Sequence, residues 1–403
     1  MIEEPSHGAT VRALLALFAV AVFFTSLDFY AFTFWSAPPP SVFMTLFIGG
    51  AAALALVNAR APMSLLRSPL LLWALAYFLV TTLWAVWMRG TPRVASVLND
   101  RYRSMALLLA FATVLDDPRV RRLTTYAIAA AVVFASTLHV AELLGLVDLA
   151  SRPDAFRIPG RAGGLYLNPN SAGHATVFGL AVACTAISRR WRIPLLVVGA
   201  IGVFATFSRG AELCLVACMV VLVWRKYVDA RSVAALGVVL ALLLATRADR
   251  VVSFLDSKDA LTKDTVARLS MTADDSGRGY LARKGWEFFL QAPLLGNGLG
   301  ATVDWTISDQ SSHNQFLNLA GDHGVLGFVL FPALALAIAV GNPAGAALAV
   351  ALMLAGLFSH NLLEDSPTLL AVALAAARST ASDARADAPA EGGVAAAEAP
   401  LQP

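Results

Sequence analysis

Apolar residues gather along the chain in long runs separated by short polar breaks. The runs cover 11–34, 41–58, 69–88, 93–115, 122–147, 171–187, 192–207, 210–224, 231–246, 324–340, 343–359 and 366–378. About 20 apolar residues make one helical crossing of a bilayer, so each run is read as a membrane span. The run 93–115 departs most from the pattern, because Asp100, Arg101 and Arg103 lie in its first half. The first run is too long for the apolar core of a signal peptide and has no basic leader, so it reads as a retained helix. The pattern predicts an all-α polytopic membrane protein of about twelve transmembrane helices with one large outer loop. Helices one to nine and their short loops fill 1–246. The large loop takes 247–323, helices ten to twelve take 324–378, and the Ala-, Pro- and acid-rich tail 379–403 reads as disordered.

The polar breaks orient these spans. With the N-terminus inside, the inner loops hold Arg60 and Arg67; Arg119, Arg121 and Arg122; Arg189, Arg190 and Arg192; and Arg225, Lys226 and Arg231. Arg and Lys collect in short cytoplasmic loops, so alternate loops support this frame. The loop 148–170, the turn around Arg209 and the large loop then fall outside, and the C-terminus returns to the inside.

Composition supports the same class. Of 403 residues, 58% are hydrophobic and 14% charged, against about 25% charged in ordinary soluble domains. Mean hydropathy is +0.68. A soluble enzyme, a disordered chain and a disulfide scaffold are excluded. Net charge is +3, which gives no reason to expect nucleic acid. Cys184, Cys214 and Cys218 all lie in apolar runs, without metal or disulfide spacing.

Candidate chemistry sits on the outer side. Arg152, Arg157 and Arg161 share one loop, Arg209 occupies a tight turn, and Arg268, Arg278, Arg283 and Lys284 lie in the large loop. Gly160, Gly210, Gly277 and Gly279 flank three of the arginines and admit a close ligand. Arg grips phosphate through a planar, bidentate fork. Several on one outer face suggest a lipid-linked diphosphate. Asn168-Pro169-Asn170 opens a span, with Asn170 or Ser171 as the expected cap. Residues 285–290 and 313–319 read as amphipathic helices, and 296–300 as a Gly-rich turn. His139 and His174 fall inside spans and read as packed residues. His313, His323 and His360 fall outside, and a neutral histidine there can take a proton from a sugar hydroxyl. They lack HxxxH or HExxH spacing, so no metal and no cofactor is expected. No nucleotide-binding or hydrolase motif has its required context.

Together these segments resemble the O-antigen ligase/polymerase family of bacterial envelope glycosyltransferases, over about 160–330. The most specific part is His313-Asn314, nine residues, then Gly324-Val325-Leu326-Gly327. The family pattern continues with Thr where this chain has Phe328. Supporting segments are Gly160-Arg161-Ala162-Gly163 through Asn170, Ser208-Arg209-Gly210, and Ser276-Gly277-Arg278 leading to Pro293–Gly298.

The resemblance implies a metal-independent, inverting transferase of the multi-span type in the bacterial inner membrane, with its active site facing the periplasm. It would move polysaccharide from undecaprenyl diphosphate to a sugar hydroxyl of lipid A–core. His313 would orient or deprotonate the hydroxyl. Arg161, Arg209 and Arg278 would clamp the diphosphate, with Arg268 or Arg283 able to replace Arg278. Asn170 and Asn314 would position groups, and Gly324 and Gly327 would let the loop pack on span ten. An O-antigen polymerase and a protein O-oligosaccharyltransferase are the alternatives within the family. A transporter is the alternative outside it, and an embedded, essential Asp100 or Arg101 would favour that reading.

Overall fold

The structure, a computed structural model, describes residues 7–57, 68–88, 93–149, 161–235, 237, 278–305, 312–340 and 343–377. Arg268, most of the run 231–246, the first part of the large loop and the tail 379–403 lie outside these residues.

Among the described residues there are helices and no strands. In chain order they are α1 (His7–Phe18), running into a π-helical turn (Ala19–Phe24), α2 (Leu27–Trp35), α3 (Pro40–Val57), α4 (Pro69–Trp87), α5 (Val94–Val114) and α6 (Pro118–Leu143). Then come α7 (Pro169–Ala183), α8 (Arg189–Ala205), α9 (Arg209–Trp224), α10 (Arg278–Gln291), α11 (Ala301–Asp304) and α12 (Gln315–His323). The chain closes with α13 (Val325–Ala339), α14 (Pro343–Ala355) and α15 (Ser366–Ala377). Among the described residues three helices (α3, α4 and α6) are long and apolar enough to cross a membrane, or four if the bent pair at the N-terminus is one span.

That first run, expected as one helix, is bent by 58°. The left-handed backbone of Ser26 marks the bend. A π turn and a break leave carbonyls without helical partners, which a membrane helix must satisfy elsewhere. The Tyr166 hydroxyl supplies one partner, donating to the Phe24 carbonyl at 2.7 Å.

Helix α7 is the central post. Nearly every side chain on it is buried, as expected of a helix apolar on all sides. Helices α6, α8, α9, α14 and α15 surround it. Small residues permit close crossings: a Cβ on Gly173 would stand 2.6 Å from that of Ala211. The exterior is also apolar. Leu72, Val220 and Leu336 are 65%, 62% and 63% exposed, which suits lipid and not water. The chain is a helical membrane protein.

Candidate functional site

Several helices start from one recurring turn. Asn168 accepts from the Asn170 amide at 2.9 Å, Ser208 from Ala211 at 3.4 Å, and Asn314 from Leu317 at 3.0 Å. Each side chain satisfies an amide that the first helical turn leaves open. The cap of α7 is therefore Asn168, two or three residues before the expected Asn170 or Ser171. Pro169 explains the shift, because its fixed φ suits the first helical position. The residue before each cap is left-handed: Leu167 at φ 59°, Phe207 at 47° and His313 at 47°. Side chains rarely adopt this conformation, which costs of order 1–3 kcal/mol.

The starts of α7 and α9 are tied together. Arg161 donates through Nε to the Thr206 carbonyl at 2.9 Å and through Nη2 to Asn170 Oδ1 at 2.7 Å. The Ser208 hydroxyl donates to the same Asn170 oxygen at 3.0 Å. Arg209, exposed, opens α9, and Glu212 one turn on interacts electrostatically with both Arg161 and Arg209. Behind Arg161 the backbone is pinned from the end of α6. Glu142 Oε2 accepts from the Gly163 amide at 3.0 Å and the Gly164 amide at 2.8 Å. Gly164, at φ 55°, lies against the buried His139 ring.

The histidine side joins this cluster through the loop 356–365. A Cβ on Gly210 would meet Phe358 at 3.1 Å. Two residues on, His360 stands edge-on to His313, ring centres 5.1 Å apart. Gln315 holds the loop at two points. Its backbone N–H donates to the Gly356 carbonyl at 2.7 Å, and its side-chain oxygen accepts from the Leu362 amide at 3.0 Å. Partial burial and the neighbouring His313 push His360 down to about 4, so it is neutral at pH 7. Asp365 caps α15 through Thr368. Four capped helix starts thus meet in one neighbourhood. Their N-termini carry partial positive charge suited to an anion.

The other expected residues are placed as follows. Arg278 opens α10, two turns before Gly285, and a Cβ on Gly285 would meet Ser312 beside His313 at 3.1 Å. Arg283 lies on the exposed side of α10 over Tyr280. His313 precedes α12 and does not belong to it. Gly324, at φ 65°, packs on the Leu294 backbone, and a Cβ on Gly327 would meet the Leu319 carbonyl carbon at 2.5 Å. His174, stacked on Phe178, is buried.

At the far end of α12 lies a buried ionic network. Arg101 pairs with Asp322 and reaches His323 Nε2 at 2.6 Å. Asp322 also accepts from the Thr302 amide at 3.0 Å and hydroxyl at 2.8 Å. All three charged or titratable side chains are at most 3% exposed. Burial and the Arg101 cation keep His323 neutral. The embedded Arg101 is therefore matched by a carboxylate of the helix that follows His313, whereas Asp100 is exposed.

Residues 194–331 match the family model described as O-antigen ligase. Over that third of the chain the protein is similar to the O-antigen ligase family. Members of the family are glycosyltransferase-like enzymes of envelope polysaccharide biosynthesis, acting on lipid-linked polysaccharide and a lipid acceptor. No curated protein matches the chain. The matched segment contains Arg209, His313, Gly324 and Gly327, while Arg161 and Asn170 precede it and His360 follows it. Among the described residues no cluster of three His, Cys, Asp or Glu is arranged to hold a metal. Four residues that shape the site carried no sequence signal. Glu142, Thr206, Gln315 and Asp322 act on partners 20 or more positions away.

Proposed function

We propose that the protein is an O-antigen ligase acting at the periplasmic face of the bacterial inner membrane, with about twelve spans and both termini cytoplasmic. The donor is polysaccharide on undecaprenyl diphosphate, and the acceptor is a sugar hydroxyl of lipid A–core. His313 takes the hydroxyl proton as that oxygen attacks the anomeric carbon. The bond from that carbon to the diphosphate oxygen breaks, and the diphosphate departs with the electron pair. Attack from the opposite face inverts the anomeric centre. Arg161, Arg209, Arg278 and the gathered helix N-termini stabilise the leaving charge. Asn170 steadies Arg161.

One observation carries this reading. The left-handed position before the cap holds an apolar residue, Leu167 or Phe207, at the starts of α7 and α9. At α12 it holds His313, half-buried and against His360. The turn has no use for an imidazole, whereas proton transfer does.

The test is transfer by the purified full-length protein in detergent with EDTA present. It is supplied with lipid-diphosphate-linked polysaccharide and lipid A–core. A polysaccharide-bearing lipid A–core band on a gel is the expected result. Longer lipid-diphosphate chains alone would make it a polymerase. Activity only on adding a divalent metal would overturn the arginine clamp.

A further inference from the structure

The ends of α6 and α8 far from Arg161 flank a second feature. Between them lies an open apolar groove of about 440 Å³, within the roughly 300–1,000 Å³ of ordinary ligand pockets. Ala129, Ala130 and Val133 form one wall, and Trp191, Pro194 and Val198 the other. The alanines leave the α6 face shallow. Pro194, inside α8, cannot donate to the helix ladder and disturbs its packing.

The rim is cationic. Arg122 lies 5.9 Å from the centre of the Tyr126 ring, and Arg190 lies 5.9 Å from that of Trp191. Both rings line the groove and both arginines are exposed. Their neighbours serve the fold. Arg121 donates to the Leu115 and Asp116 carbonyls, and Arg192 to those of Ile187 and Tyr227. Among the described residues, no carboxylate pairs with Arg122 or Arg190. Helices α6 and α8 both begin here, so their dipoles add to the positive field.

We infer that this is a binding site for one anionic phospholipid. An acyl chain fills the groove between α6 and α8, and the phosphate sits between Arg122 and Arg190. Charge complementarity selects the headgroup, and the apolar walls exclude a soluble anion. Tyr126 and Trp191 are of the ring types that favour the membrane boundary. The lipid clamps the two helices whose opposite ends hold Arg161 through Glu142 and Thr206. The inference is independent of the proposed transfer reaction.

Native mass spectrometry of the full-length protein in non-ionic detergent tests it. The protein is titrated with dioleoyl phosphatidylglycerol or with the phosphatidylcholine of the same chains. One phosphatidylglycerol is expected to be retained roughly tenfold or more over phosphatidylcholine, since each basic residue near a headgroup contributes about a factor of five. The doubly substituted R122Q/R190Q protein should lose that preference, and Ala130→Phe, which fills the groove, should weaken retention of both lipids. Equal retention of the two lipids by the unaltered protein would overturn the inference. A preference surviving R122Q/R190Q, or retention unchanged by Ala130→Phe, would overturn the location. All three positions are exposed, and an unchanged gel-filtration profile establishes that each variant is folded.

Discussion

The starts of α7 and α9 and the start of α12 are built alike and used differently. All three have a left-handed residue followed by a capping Asn or Ser. At α7 and α9 the left-handed side chain is apolar, and the polar work falls to Arg161, Asn170 and Arg209. At α12 the left-handed residue itself carries the titratable group. A strained turn fixes where a side chain leaves the backbone. The same local device therefore gathers guanidinium groups in two places and carries an imidazole in the third.

The sharpest way to break this comparison is His313→Leu, which gives α12 the residue that α7 carries. The helix start should survive and the thermal midpoint should stay within a few degrees. Transfer should fall by about 10²- to 10⁴-fold, the usual worth of a general base. Near-normal transfer in the gel assay would show that the three turns are equivalent and His313 is structural.

The opposite end of α12 should respond in the other way. Asp322→Ala leaves the Arg101 charge buried without its carboxylate, at a cost of about 3–5 kcal/mol. Loss of folded protein in a thermal-shift assay is expected. Replacing both partners with apolar residues should restore much of the stability, because a buried pair contributes little over a packed apolar one.

The caps themselves should matter less. Asn314→Ala should cost about 1 kcal/mol of stability. Ser208→Ala should cost at least as much, because Ser208 also donates to Asn170. Chemical denaturation would rank them.

The smallest effect is on pH dependence. His360 near 4 in the fold lies below its ordinary 6.5. The unfolded chain then binds the extra proton more readily, so the stability is fully present above about pH 6.5 and is lost as pH falls through 4. His360→Gln should flatten the thermal-midpoint profile across that window while leaving the value at pH 8 nearly unchanged.

The helices were legible because apolar runs and capping residues are local properties. Arg161, Arg209 and His313 were legible as chemical types in unusual places. The structure brings Arg161 and Arg209 together around Asn170 and Glu212, and brings His313 against His360. What could not be read was the support. Glu142 lies near the close of the run 122–147 and looks like a boundary acid until Gly163 and Gly164 fold onto it. Arg101 looked like a misplaced charge because Asp322, its partner, lies over 200 positions away. The kink at Ser26 escaped notice because a π turn leaves no mark on hydropathy.

Gln315 grips the loop after α14 at Gly356 and again at Leu362, one hold through its backbone and one through its side chain. It behaves as a gauge. Exchanging side chains within 357–361 keeps the interval it measures. Adding or deleting a single residue forces one hold to open and slides His360 away from His313. In this loop, length is constrained more tightly than letters. At exposed positions such as Leu357 the loop should therefore accept substitutions, and it should reject insertions throughout, although that exposure makes it look permissive.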